Sequence, residues 1–589
     1  MILFVNGKQA TLKSGSSFEY ISENRSFSDA DDYTLSITLP ITDCQSNIEI
    51  FGHLTRKDVG TKSSVFDAEI RDRAFSKFGV LTVVGVDGPN IKCQFLEGRS
   101  HQNFDETFDN VYINTLDLGS FPSIANLQSP AAYLKSIDDG AQYVALPWVN
   151  ESADYVINNE IKVSDGKYIW AKSLSDMGGG LSFQPYLLSI AKKICSAVGY
   201  SYDFSSWEKS YDRHLLVCNC LPSAWDIRSI ARALPKWSVT EFFEEVEKLL
   251  CCEIDIDHKG KTVSMKYSNE VEAVKTTIQL TSVVDDFTAE VSYEDSIAKY
   301  KGLANVRYRQ CSYARWKYDQ CQWLIDLMRK ENKYVREFED FAAFNSWSMS
   351  KWGMLTITGK DAERGADMGS LIYCRKEDAY FIARVYYGNM TEYPNMYFWD
   401  WMRINRFGDL IVDKDSDNEI ELSIVPVCID ETDSEHGSCM FLNFSSFAES
   451  EEYDESGIRQ PLAMSALLNG DEGQNPEYYD CIYTAYWTGV PDTAYAPPCP
   501  LTAVGGFLLG NIFKYSLELK DRYKNYQDGV RINGREKHTF KFLSDTIPNV
   551  RSIFNIQGKL YLCEKITATF TEDGMSQLLK GDFYPIIDD

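Results

Sequence analysis

The chain has no CxxC, no HExxH, no GxSxG elbow and no phosphate-binding P-loop. Each absence removes a function class: zinc knuckles, zincin-type hydrolases, α/β-hydrolases and P-loop NTPases all depend on those spacings. Histidine is scarce. The six, His53, His101, His214, His258, His436 and His538, lie beyond helical reach of one another, so a histidine-based metal site has no support. His258 reads as an exposed hairpin turn, and His436, beside Asp433 and Glu435, is the best acid/base candidate but lies in a polar stretch. We therefore expect no catalytic, cofactor-binding or metal-binding residues. Long apolar runs are missing too. The longest, Leu501–Phe513, is too short and glycine-rich to span a bilayer. The start, MILFVNGKQATL, lacks the basic and apolar regions of a signal peptide, so a soluble, non-exported chain is expected.

Positive charge is also in deficit. A net charge of −27 rules against holding a nucleic-acid backbone by counterion release and against lying on an anionic membrane. The fifteen cysteines are odd in number, and the close pairs Cys218/Cys220 and Cys251/Cys252 have no metal-ligand spacing. Reduced, mostly buried thiols are expected, as in a cytoplasm.

What is present is aromatic and strand-forming. With 589 residues the chain exceeds one core, and 35 Tyr and 32 Phe favour half-buried pleated surfaces. YTLSITLP at 33–40 alternates apolar and polar residues, and LTVVGV and IKCQFLEG flank a turn at Asp87-Gly88-Pro89-Asn90. Residues 121–180, with Pro122, Pro130, Pro147 and Gly178-Gly179-Gly180, read as a connecting segment. Between Ser182 and Tyr267 the period changes. Leu187, Ile190, Ala191, Ile194 and Val198 recur at helical spacing and end at Gly199, a left-handed cap. Ser238 and Glu241 make a capping box for a helix whose buried stripe is Val239, Phe242, Phe243, Val246, Leu249 and Leu250. Strands Glu253–Asp257 and Lys261–Tyr267 then close through Lys259-Gly260.

Strands return in TIQLTSVVDDFTAEVSY, DAYFIARVYYGNM and NEIELSIVPVCI, with a helix expected within Arg315–Phe338. Residues 436–500, with FAESEEYDESGIRQP and YAPPCP, read as a solvated acidic, Pro-rich excursion. The C-terminus gives strands around Gln557-Gly558 and Asp573-Gly574. Asp413, Asp415 and Asp417 have calcium-loop spacing, but Asn418 and Ile424 stand where glycine and a bidentate glutamate are needed, leaving an exposed acidic turn. The aromatic cluster Tyr393–Met402 suits a β-domain core better than a stacking platform. The 86 acidic residues offer many spatial pairs for glycoside hydrolysis, and none is marked by motif.

The order IKCQFLEG, helix then GYSYDF, helix then EIDIDHKGKTVSMKY, and a terminal IQGKLYLCEKITATFTEDGMSQLLKGDFY resembles the baseplate hub or tail-tip hub proteins of tailed bacteriophages, in the version found in phages and prophages of gut Bacteroidetes. The resemblance implies a non-enzymatic homotrimer in the virion tail, made in the host cytoplasm. Its ring would join the tail tube or distal tail protein to a tip, spike or fibre and enclose the path of the tape-measure protein and of DNA in transit. No stable membrane association is expected. The implied fold class is mainly β with an α+β insert, having β-barrel-like hub domains on either side of a small helix–hairpin region. The expected division is a first hub domain at 1–120, a connector at 121–180, the α/β domain at 181–274, a second hub domain at 275–435 completed by 501–589, and the excursion at 436–500. The alternatives are a carbohydrate-binding tail adhesin and a tail-associated cell-wall hydrolase.

Overall fold

A computed structural model describes the chain apart from residues 29–32, 35, 57–64, 74, 98–107, 124–125, 146–147, 153–154, 159–160, 171–181, 219–228, 258–259, 274–275, 292–297, 310–334, 352–370, 388–396, 404–408, 427–428, 432–439, 444–480, 490–515, 524–529 and 588–589. The fold is mainly β, in several sheets, with helices inserted.

The largest sheet has 14 strands and is built from both ends of the chain. Its main path runs Lys8–Ala10, Ile2–Val5, Val65–Asp72, Phe75–Asp87, Asn90–Leu96, Tyr33–Thr34, Ser17–Glu23, Lys559–Thr571, Gly574–Pro585, Glu536–Leu543 and Val283–Val291. Three strands pair off it: Ile37–Pro40 with Asn90–Leu96, and Thr277–Leu280 with Ile553–Ile556, which also pairs with Lys559–Thr571. Local chemistry sets the hairpins. Asn6 and Gly7 (φ 47° and 75°), and Gln557 and Gly558 (φ 53° and 88°), take the paired positive φ values of a type I′ turn. At Asp87–Asn90, Gly88 takes φ 59° and Pro89 supplies the negative φ that the second position of a II′ turn requires. Alternation then places Leu81, Ile91, Cys93 and Phe95 inside, with Phe18 stacked on Phe570 at 5.5 Å.

Two expectations change here. Ser17–Glu23 pairs antiparallel with Lys565–Thr571, so the first and last β segments share one sheet instead of lying in separate hub domains. No described pairing joins the two ends of the strand order, so this sheet is open and not a closed barrel. The physical reason is that long-range pairing, not chain proximity, decides which strands share a core.

The α/β region forms as its periodicity implies. Helices Leu187–Ala197 and Val239–Leu250 bury every stripe residue named above except the half-buried Val198. Ser238 Oγ accepts the Glu241 amide at 3.1 Å, and Gly199 takes φ 80°. The hairpin Cys252–Asp257 and Thr262–Tyr267 gains a third, parallel strand, Ser201–Asp203. Cys251 occupies the left-handed cap position (φ 51°) where glycine is usual.

This region's core is wider than the sequence suggested. Tyr133, Leu134, Val144 and Tyr168, from the expected connector, pack into it. Strand Ile482–Tyr486, inside the expected solvated excursion, is buried at every residue between Leu215–Cys218 and Ile424–Pro426. The acidic run and YAPPCP lie outside the described residues, as does most of Arg315–Phe338, of which Val335–Phe338 is a strand. Tyr397–Arg403, from the aromatic cluster, pairs with Ala379–Tyr387.

Candidate functional site

Among the described residues, four convergences of charged and titratable side chains bear on function. At the first, Arg522 donates to Asp212 Oδ1 at 2.6 Å and Oδ2 at 3.3 Å, and to the Leu249 carbonyl at 2.7 Å. Tyr267 and Tyr486 donate their hydroxyls to the same carboxylate, each at 2.9 Å. Burial works to raise the Asp212 carboxyl, but Arg522 and the two phenols outweigh it and hold the group below its ordinary range. The Tyr486 phenol is pushed far up, first by burial and then by Asp212, so it stays a donor. Both oxygens of Asp212 are taken from two sides each. A carboxylate so saturated is a clasp rather than a proton carrier. It ties Leu519–Arg522 and strand Ile482–Tyr486 to the α/β hairpin.

The second place is the seam between the large sheet and that hairpin. Arg25, 4% exposed, donates to Asp255 Oδ1 at 2.6 Å and to the Ile254 carbonyl at 3.1 Å. Glu253 pairs with Arg551 at 2.7 Å, and Glu247 Oε1 accepts the Ile254 amide at 2.5 Å. The outward N–H and C=O of Ile254 are thus both occupied by side chains, which protects this edge from strand addition. Beside the ion pairs lies a cleft of about 830 Å³, lined among others by Tyr20, Lys77, Glu97, Asp257, Lys261 and Arg551. Its floor pairs Glu97 with Lys77 and with the Tyr20 hydroxyl, each at 3.0 Å.

At the third place, residues far apart in sequence meet. His214 Nδ1 lies 3.4 Å from Ser136 Oγ, and its Nε2 lies 3.5 Å from Asp138 Oδ2. The side-chain types match a hydrolytic triad, but the setting does not. Ser136 is buried, its Oγ caps the turn Ile137–Asp139 by accepting the Asp138 amide, and a Cβ on Gly489 would sit 3.1 Å from its backbone nitrogen. The hydroxyl is a cap packed under another backbone. Burial, then Arg213, lowers the His214 imidazole below its ordinary value, with Asp138 opposing.

The fourth is the Asp413 turn. Asn305 donates to the carbonyls of Asp413 and Ser416 and accepts the amides of Val412 and Asp413. Asp413 itself accepts the Asp415 amide and pairs with Arg535 at 2.9 Å. Its carboxyl falls below the ordinary range through the Asp415 amide first and Arg535 second. Turn amides and Arg535 therefore occupy the lead calcium-type ligand, and no metal-ligating group of three or more is found among the described residues.

No protein-family model and no curated protein matches the chain. Among solved structures, the chain is similar to the 43 kDa tail protein of prophage MuSo2 from Shewanella oneidensis, at 7% identity and a TM-score of 0.29, covering 100% of this chain and 97% of that one. It is similar also to the tail protein from Neisseria meningitidis MC58, at 7% identity and a TM-score of 0.28, covering 100% and 96%. Scores at this level do not establish a common fold.

Of the six histidines, His214 and His538 are buried, His538 against Glu536 at 2.6 Å; His101, His258 and His436 lie outside the described residues. The convergences at Asp212, Arg25 and His214 carried no sequence signal, because their partners are 310, 230 and 78 residues away. What the four places do chemically is the same. Each joins distant segments through polar or charged side chains, and each locks geometry.

Proposed function

We propose that this chain is a structural component of a bacteriophage tail, specifically the baseplate or tail-tip hub. The observation that carries the reading is that the order of elements behind the family resemblance is realised as structure. Strand Asn90–Leu96, helix Leu187–Ala197 with Ser201–Asp203, helix Val239–Leu250 with its hairpin, and the terminal hairpin Lys559–Pro585 all form, and the last pairs with the first β segment. A wide open sheet clamped to an α/β module by the buried Arg25 and its carboxylate partners suits a part that carries load between neighbours. In this reading the chain is a non-enzymatic homotrimer that meets the tube, the tape-measure protein and the distal tip, and DNA passes it only in transit.

The test is where the protein sits in virions. Immunogold labelling of particles from a host that carries the gene should mark the distal end of the tail, and a gene deletion should leave heads without completed tails. Label on the capsid, or normal tails after the deletion, would end the reading.

A further inference from the structure

The edge of the α/β hairpin is closed at Ile254 and open at Ile256. In an antiparallel ladder, residues two apart point their N–H and C=O the same way. Ile254 points both groups away from Thr262–Tyr267, where Glu247 and Arg25 take them. Ile256 therefore points its own pair outward as well. Among the described residues, neither group has a hydrogen-bond partner. The Ile256 side chain packs in the core of the module, and the residue is 6% exposed. What it contributes to the wall of the cleft is therefore main chain.

That cleft holds about 830 Å³, within the range of about 300–1,000 Å³ typical of ligand sites. Its charge is uneven. The pairs Lys77–Glu97, Arg25–Asp255 and Arg551–Glu253 balance one another around it. Glu23 and Asp67 also line it, and among the described residues no cation pairs with either. Glu23 accepts only the uncharged Ser28 and Tyr33 hydroxyls, and Asp67 is exposed. Among the described lining residues, Lys261 at the hairpin turn is the cation outside those pairs.

An outward backbone pair recognises another extended backbone, and uncompensated carboxylates select a cation on it. We propose that this cleft seats a short extended segment of another protein. The segment pairs through its main chain with Ile256 and sets a lysine or arginine against the Glu23 and Asp67 carboxylates. Closure of the edge at Ile254 keeps the added strand short, so the site does not template continued sheet growth. The proposal stands apart from the tail reading, because it rests on the cleft alone.

The test is selection from a random octapeptide library on the full chain, followed by binding curves for the selected peptides by fluorescence anisotropy. Selected peptides should carry a lysine or arginine, and E23Q/D67N should bind them about tenfold more weakly. D67N alone changes an exposed residue and should show part of the same loss, which keeps the test open should the double variant not fold. Hydrogen exchange at the Ile256 amide should slow in the complex, while Ile254, already bonded to Glu247, stays unchanged. N-methylation at one peptide position should abolish binding, and the positions on either side should tolerate it. No selected peptide, unchanged binding in the variants, or an Ile256 amide that stays unprotected would each overturn the proposal. So would retention of cell-wall oligosaccharides, used as the competing probe, in place of the peptides. None of these results touches the tail reading, which virion labelling decides.

Discussion

Arg25 donates to Asp255 Oδ1 at 2.6 Å across 230 residues of sequence, joining the loop after Ser17–Glu23 to the edge of the α/β hairpin. The same guanidinium takes the Ile254 carbonyl, so one side chain both docks the module and closes its sheet edge. The two units keep separate main hydrophobic clusters, and this guanidinium is one of the contacts that join them.

Arg25→Ala leaves Glu253 to Arg551 alone and uncaps the Ile254 carbonyl. Asp255 is 53% exposed, so water replaces part of what is lost. We expect a loss of about 2 kcal/mol, read as a lower urea midpoint. Hydrogen exchange should accelerate in Cys252–Asp257 before it does in the large sheet.

Asp212→Asn removes the carboxylate that, among the described residues, pairs with Arg522 and leaves a buried cation. Breaking such a pair costs about 3–5 kcal/mol, so the thermal midpoint should fall by several degrees. Replacing both residues, as D212N with R522M, should cost less than the sum of the single changes, because the stranded charge is gone.

Stability should decline as pH falls, in two windows. The folded-state imidazole of His214 lies below its ordinary 6.5, so between these values the unfolded chain binds more protons. Stability is complete above 6.5 and is lost as pH drops through the depressed value. Asp212 behaves likewise below its ordinary 3.8, where protonation breaks the Arg522 clasp. Urea titrations between pH 7 and pH 5 should show the first slope in wild type and a shallower one in H214Q.

Gly79→Ala tests the close approach of the Phe75–Asp87 and Asn90–Leu96 strands. The added Cβ would meet the Leu96 carbonyl oxygen at 2.2 Å, which is backbone and does not swing away. Overpacking of this kind costs about 1–3 kcal/mol, and the urea midpoint should fall accordingly. Gly85→Ala, where nothing lies within 4 Å, is the control and should change little.

Turns, caps and stripes were readable because each depends on residues within a few positions. Ser238 finds its amide three residues on, Gly199 ends its helix by its own backbone freedom, and Gln557-Gly558 turns a hairpin unaided. Mean periodicity likewise separated the β flanks from the helical middle. Partnership had no such local mark. Ile482–Tyr486 lay within a stretch whose acidic and Pro-rich runs read as solvated, and its partners Leu215–Cys218 and Ile424–Pro426 are remote in sequence.

The same holds for Ser17–Glu23, whose pairing with Lys565–Thr571 merged two segments assigned to separate domains, and for Ser136, brought to His214 only by folding. Side-chain pattern specifies how a segment curls and which face turns inward. Which distant segment lies against that face depends on the competition among all possible pairings in three dimensions, and that competition is settled by packing and charge satisfaction across the whole chain.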